Sequence, residues 1–130
     1  MVSPFMTATM VRDMFDDEDF VFDFNPLMKA NVVDEFGGQA IPAQILQFPA
    51  LVNNGVSQVL LTLEPCGMNA PHVHPRGTEI LFAIDGEFLS IFVEENGSER
   101  VVDNVVKPFQ STFFPMGVIH TQVNLSCEPA

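Results

Sequence analysis

A chain of 130 residues, 47% of them hydrophobic, can bury roughly two thirds of its unfolded surface in one core. A net charge of −12, from 5 Lys and Arg against 17 Asp and Glu, excludes a phosphate-tracking surface, so neither nucleic acid nor anionic membrane is an expected partner. No apolar run is long enough to span a bilayer, and residues 1–14 lack a basic residue ahead of an apolar core, so they do not read as a signal peptide.

In chain order, Asp13, Asp16, Asp17, Glu18 and Asp19 precede Phe20-Val21-Phe22-Asp23-Phe24. This acidic stretch reads as a solvated surface segment rather than a cation-attracting arm. It places an acidic N-terminal extension over residues 1–24, ahead of a single domain over 25–130. Residues 44–48 and 56–64 are β-branched and aliphatic between Pro, Asn and Gly, and are expected as strands. Strands over 78–83 and 87–93 follow, with Asp85-Gly86 between them as a hairpin signal. Asn96-Gly97 is a second such signal, between residues 91–93 and 101–102. Strands over 110–114 and 118–125 complete the series. Short strands with Asx-Gly turns and no long helix indicate an all-β sandwich or small barrel.

The chain has 3 histidines, and all fall at metal-ligand spacing. On a strand, His72 and His74 point to the same face. Pro75-Arg76-Gly77 is turn chemistry that folds the next strand back, so that Glu79 joins them. His120, after the Pro115-Met116-Gly117 turn, is the remaining imidazole. A lone histidine is more often a hydrogen-bonded core residue than a ligand. When every histidine and a carboxylate fit one constellation, the metal reading prevails.

The segment from Gly67 to Gly86, with His72, His74 and Glu79 in place, resembles the first sequence box of the cupin superfamily. Pro115, Gly117, His120 and Asn124 resemble the second. His74-Pro75-Arg76-Gly77-Thr78-Glu79-Ile80 is similar to the germin and spherulin branch, and the likeness runs from about Asn25 to the end of the chain. Phe109 stands where the second box normally opens with glycine, which predicts a changed turn geometry. The resemblance implies a double-stranded β-helix, the cupin jelly-roll barrel, with the metal inside. Germin-like domains continue past the second box with another apolar strand, whereas this sequence stops at Glu128-Pro129-Ala130. The barrel is therefore expected to lack its final strand, either as a fragment or with the gap covered by a neighbouring element or subunit. Exposed strand edges predict self-association, hence a homo-oligomer.

Three imidazoles and a carboxylate suit Mn(II), the expected ion, and also Fe(II), with coordination positions left for a small anionic or oxygen-derived ligand. Zn(II) remains open on affinity alone. Germins that oxidise oxalate use two asparagines beside the metal. One aligns with Asn69, which reads equally as part of a Met68-Asn69-Ala70-Pro71 turn. The other, placed on the preceding strand, aligns with Val59, which cannot donate a hydrogen bond. Oxalate oxidation is thereby weakened, and superoxide dismutation fits better. A non-enzymatic extracellular or stress-associated metal- or ligand-binding cupin is the alternative.

Secretion is expected, marked by sugar at Asn96 on a hairpin tip and not at Asn124 within a strand. If the strands carrying His72 and His120 pair as in a jelly roll, facing positions sum to about 193, which aligns Cys66 with Cys127. The parity of the two positions then requires a bulge or an irregular strand end for a disulfide. Two buried free cysteines are the other reading.

Overall fold

The computed structural model describes residues 6–25 and 33–126. Its strands are β1 (Val33–Ala43), β2 (Gln58–His72), β3 (Glu79–Phe82), β4 (Phe88–Val93), β5 (Val101–Val106), β6 (Ser111–Phe114) and β7 (Ile119–Asn124). They form a sheet in the order β1-β2-β7-β4-β5 and a two-stranded sheet of β3 and β6. The all-β jelly roll expected of the sequence is the observed architecture. By internal contacts the chain divides into two compact units, one of Met1–Val33 with Ala40–Leu61 and one of Asp34–Gln39 with Thr62–Ala130.

In the first unit, helix α1 (Ala8–Arg12) begins at Thr7, whose side-chain oxygen accepts the Met10 N–H at 3.2 Å. The acidic stretch that follows is exposed along most of its length. Part of it forms a 3-10 turn, Asp17–Phe20, which Asp19 tightens by accepting the Asp16 N–H at 3.0 Å. Phe22 then packs its ring 4.8 Å from Phe24 and 5.5 Å from Phe48.

The strand expected over 44–48 is a turn. The Gln47 and Phe48 N–H groups both return to Gln44 O, at 3.0 and 2.7 Å, and Pro49 opens a 3-10 turn, Pro49–Leu51. An apolar segment without a strand partner satisfies its backbone locally, and proline at its end favours the stop. Ile45 and Leu46 are exposed as a result. The ladder partner of β2 is instead the preceding segment, β1, which the sequence reading missed.

In the second unit, β4 pairs antiparallel with β7 on one side and β5 on the other. Asn96-Gly97 closes the β4–β5 hairpin as expected. Ser98 N–H donates to Glu95 O at 3.0 Å, and Gly97 takes φ +103. Asp85-Gly86 does not close a hairpin, because β3 pairs with β6 while β4 lies in the other sheet. The β3–β6 ladder continues past Phe82: Phe109 N–H donates to Ala83 O and Ala83 N–H to Gln110 O. Gly86, at φ +71, turns the chain from one sheet to the other.

The core lies between these sheets. Phe92 of β4 meets Phe114 of β6 edge to face at 6.2 Å, with Val118 buried beside them and Leu81 and Val102 packed against the cluster. On β3 the alternation turns Glu79 and Leu81 inward and leaves Ile80 and Phe82 exposed.

Where β1 passes β2, a Cβ added to Gly67 would stand 1.9 Å from Gly37 O, so the two backbones must separate to admit a side chain. Gly67→Ala is expected to cost about 1–3 kcal/mol or more of overpacking, read as a lowered midpoint in urea unfolding. An unchanged midpoint would show that the close approach does not constrain the sheet.

Candidate metal centre

Antiparallel pairing of β2 with β7 assembles the site. Met68 faces Val123 and Asn69 faces Gln122, then the register slips, and His72 faces His120. The slip is a bulge, which lets the strand re-aim a side chain at its end. Thr121 Oγ1 helps hold it by donating to Asn69 O at 2.6 Å.

β2 ends at His72, so His74 lies beyond the strand and simple alternation does not deliver it. His74 O accepts the Gly117 N–H at 3.1 Å, which ties the loop carrying His74 to the turn ahead of His120. Val118 N–H donates to Pro115 O at 3.3 Å across that turn, and Gly117 supplies φ +84. After Pro75-Arg76-Gly77 the chain reverses, as expected, and β3 starts at Glu79 opposite Phe114.

The donor atoms of His72, His74, Glu79 and His120 all lie within 4.8 Å of one another. Glu79 Oε2 is 2.9 Å from His74 Nε2 and 3.3 Å from His120 Nε2. Donors at roughly 2.0–2.3 Å from one ion stand at most about 4.6 Å apart, so small rotamer adjustments bring the whole set onto a common centre. The orientation of two imidazoles is fixed from behind. Nδ1 of His72 faces Ala70 O at 2.7 Å, and Nδ1 of His120 faces Val118 O at 3.1 Å. A carbonyl only accepts, so each Nδ1 carries the proton and each Nε2 lone pair faces inward. Phe114 stacks on His120 at 4.2 Å with planes 14° apart. Exposure grades across the site, from His120 at 1% of its side chain to His74 at 49%, so the open side is at His74.

The other expected residues fall as follows. Asn69 lies within β2, not in a turn, and its Nδ2 donates to Gln122 Oε1 at 2.8 Å. Val59 is on β2 itself, the strand that carries His72, and its side chain is exposed. Phe109 adopts φ +64, the left-handed conformation glycine takes freely. The turn is thus not reshaped to suit a side chain, and the backbone carries strain of about 1–2 kcal/mol instead. Asn96 is exposed on its hairpin tip. Asn124, at the end of β7, donates to Leu63 O at 3.1 Å and accepts from Ser126 N–H. Cys66 has φ +61, the irregularity a bridge requires, and its N–H donates to Ser126 O at 2.8 Å. Cys127 lies outside the described residues. Sequence reasoning missed Gln122, fully buried two positions after His120; a polar residue at core parity on the same strand face was the available signal.

The cupin family model matches residues 24–130, and the chain belongs to that family. It is 38% identical over 114 residues to Spherulin-1B of Physarum polycephalum, covering 88% of this chain and 45% of the relative. It is 37% identical over 101 residues to Germin-like protein subfamily 1 member 20 of Arabidopsis thaliana, covering 77% and 46%. The chain thus spans less than half the length of these relatives. Its fold is similar to that of an oxalate oxidase solved in complex with glycolate, with TM-score 0.71 and 26% identity over 82% of this chain and 53% of the other. Among the described residues no helix is long and apolar enough to cross a membrane.

Phe114 serves the core and the site together. Phe114→Ala is expected to cost about 3–5 kcal/mol in urea unfolding, since it removes a ring that is 1% exposed. A loss below about 1 kcal/mol would mean that the ring is not packed as described.

Proposed function

We propose that this germin-like cupin holds one Mn(II) ion through Nε2 of His72, His74 and His120 and a carboxylate oxygen of Glu79, and acts as an oxidoreductase on superoxide or a small carboxylic acid. The convergence of these donors within 4.8 Å carries the reading. Mixed imidazole and carboxylate donors suit a redox-active divalent ion, and Fe(II) or Zn(II) would fit the same set. Once bound, the ion supplies Lewis acidity and one-electron chemistry at positions the protein leaves open. The chain's part is to orient the imidazoles through Ala70 O and Val118 O, to keep water from the His120 side, and to admit small ligands beside the exposed His74.

Glycolate in the oxalate oxidase of similar fold supports a small oxyanion as ligand class. Val59 argues against full oxalate oxidase chemistry, since an exposed valine cannot hold a dianion. Superoxide, which asks little of the surroundings beyond an open redox site, is the better substrate. The alternative, a metal- or ligand-binding cupin without turnover, differs in one observation, that the metal-loaded protein is inert.

Protein purified without added metal is expected to contain about one Mn per chain and to consume superoxide, and His120→Ala to lose the ion. Full metal retention in His120→Ala would sink the ligand assignment. Metal-loaded protein that consumes neither superoxide nor oxalate would favour the binding class.

Secretion, a Cys66–Cys127 disulfide and sugar on Asn96 belong to the same proposal. The bridge is supported by the Cys66–Ser126 backbone bond, which brings the position before Cys127 to Cys66. Closing a loop of about sixty residues would contribute roughly 4 kcal/mol in the chain-entropy treatment. Self-association is supported by Ile80, Phe82 and Phe113, exposed on the β3–β6 sheet. Mass analysis of protein from a secreting host, alkylated without reduction, is expected to find sugar on Asn96 and no modified thiol. Two alkylated cysteines would defeat the bridge, and sugar on Asn124 would contradict its place in β7.

A further inference from the structure

An acidic chain that takes a small anion must bring it in against its own field. The net charge is −12, and like-charge repulsion lowers the concentration of anions near such a surface. The four donors lie wholly within the second unit, whose basic side chains are Arg76, Arg100 and Lys107. Lys107 Nζ stands 3.8 Å from Glu87 Oε1. Arg76 is exposed and has no ion-pair partner among the described residues, in a chain with 17 Asp and Glu.

Strand register places these charges relative to the site. His72, His120, Phe92 and Val102 form one rung across β2, β7, β4 and β5, and Ile119, Val93 and Val101 continue the next. Beyond it, at the same end of the sheet, lie residues 73–78 after β2, 115–118 before β7 and 94–100 between β4 and β5. Arg76 is the fixed charge of the first loop, the second has none, and the hairpin carries Glu94, Glu95 and Glu99 with Arg100. The hairpin leaves from strands up to three spacings, about 14 Å, from β2. Arg76 follows His74 by two residues, so their Cα atoms are at most about 7 Å apart. Gly77 N–H donates to His74 O at 3.5 Å and folds this loop back toward Glu79. His74, at 49% exposure, is the donor on the open side.

We infer that Arg76 draws small anions to the open side of the metal site as an electrostatic guide, without itself holding the ion. The inference rests on the proposed metal site and adds what its donors do not supply, a fixed positive charge where the anion enters. Superoxide is a monoanion, so its rate of arrival is what this charge raises. Reversing one unit charge about 10 Å from a monoanion in water changes the anion's local concentration about threefold at low ionic strength. At about 1 M salt, where the screening length is about 3 Å, the change all but vanishes.

Azide binding to Mn(II)-loaded protein, read from the Mn(II) resonance spectrum, tests this in the parent, Arg76→Glu, Arg76→Lys and Arg100→Glu. Each is measured at about 10 mM and about 1 M of a non-coordinating salt. The expected result is undiminished Mn content throughout, with azide affinity about threefold lower in Arg76→Glu at low salt and close to the parent at high salt. Arg76→Lys keeps the charge and should keep the parent's affinity. Arg100→Glu makes the same change in net charge from further away and should lose less. Rates of superoxide consumption should follow the same pattern. Parent-like azide affinity of Arg76→Glu at low salt overturns the inference. So does a loss that persists at high salt, which marks a structural or ligating role, and so does an equal loss in Arg100→Glu, which marks net charge alone. A parent protein that takes up no Mn contradicts the metal site itself, a result distinct from any variant outcome.

Discussion

The site depends on one strand pairing, that of β2 with β7, and on the bulge within it. An unbroken ladder from the Asn69–Gln122 pair would not set His72 opposite His120, whereas the slip between Asn69 and His72 does. Once these two imidazoles share a rung, their rings stand 4.3 Å apart. The remaining donors need only short-range devices, a turn after His74 and the start of β3 at Glu79. The pairing joins positions about fifty residues apart in sequence, so the site forms only when the sheet does.

The same segment serves several purposes. Phe114 closes the core with Phe92 and stacks on His120, so packing and imidazole orientation are one structural event. The backbone carbonyls of Ala70 and Val118 fix tautomers in a way that side-chain substitution cannot easily disturb. Phe109 shows the reverse case: a side chain sits in a left-handed backbone because its N–H is needed by Ala83 O and its turn by Lys107 and Gln110. Local strain is tolerated where neighbouring pairings over-determine the conformation.

The convergence of the four candidate donors was legible in the sequence because histidine is rare in this chain and each copy falls at ligand spacing, and Asn96-Gly97 because an Asx-Gly pair between apolar runs has a definite backbone requirement. Asp85-Gly86 carries the same local signal yet joins two sheets, since a turn fixes the reversal and not the pairing partner. Residues 44–48 have strand composition but no ladder to join, while β1 contains two glycines and a proline and still pairs with β2. Gln122 escaped notice because glutamine is ordinarily a surface residue, and only the three-dimensional fold shows it to be fully buried.

Nitrogen couplings to bound Mn(II), measured by pulsed electron resonance on protein with 15N-labelled histidine, test the arrangement most directly. The account predicts directly bonded imidazole nitrogens from all of His72, His74 and His120 on one ion per chain, with the signal of one ring lost in each single His→Gln variant. A chain carrying 17 Asp and Glu can also collect Mn(II) on its surface, and a spectrum showing only water and carboxylate oxygens around the ion would contradict the account.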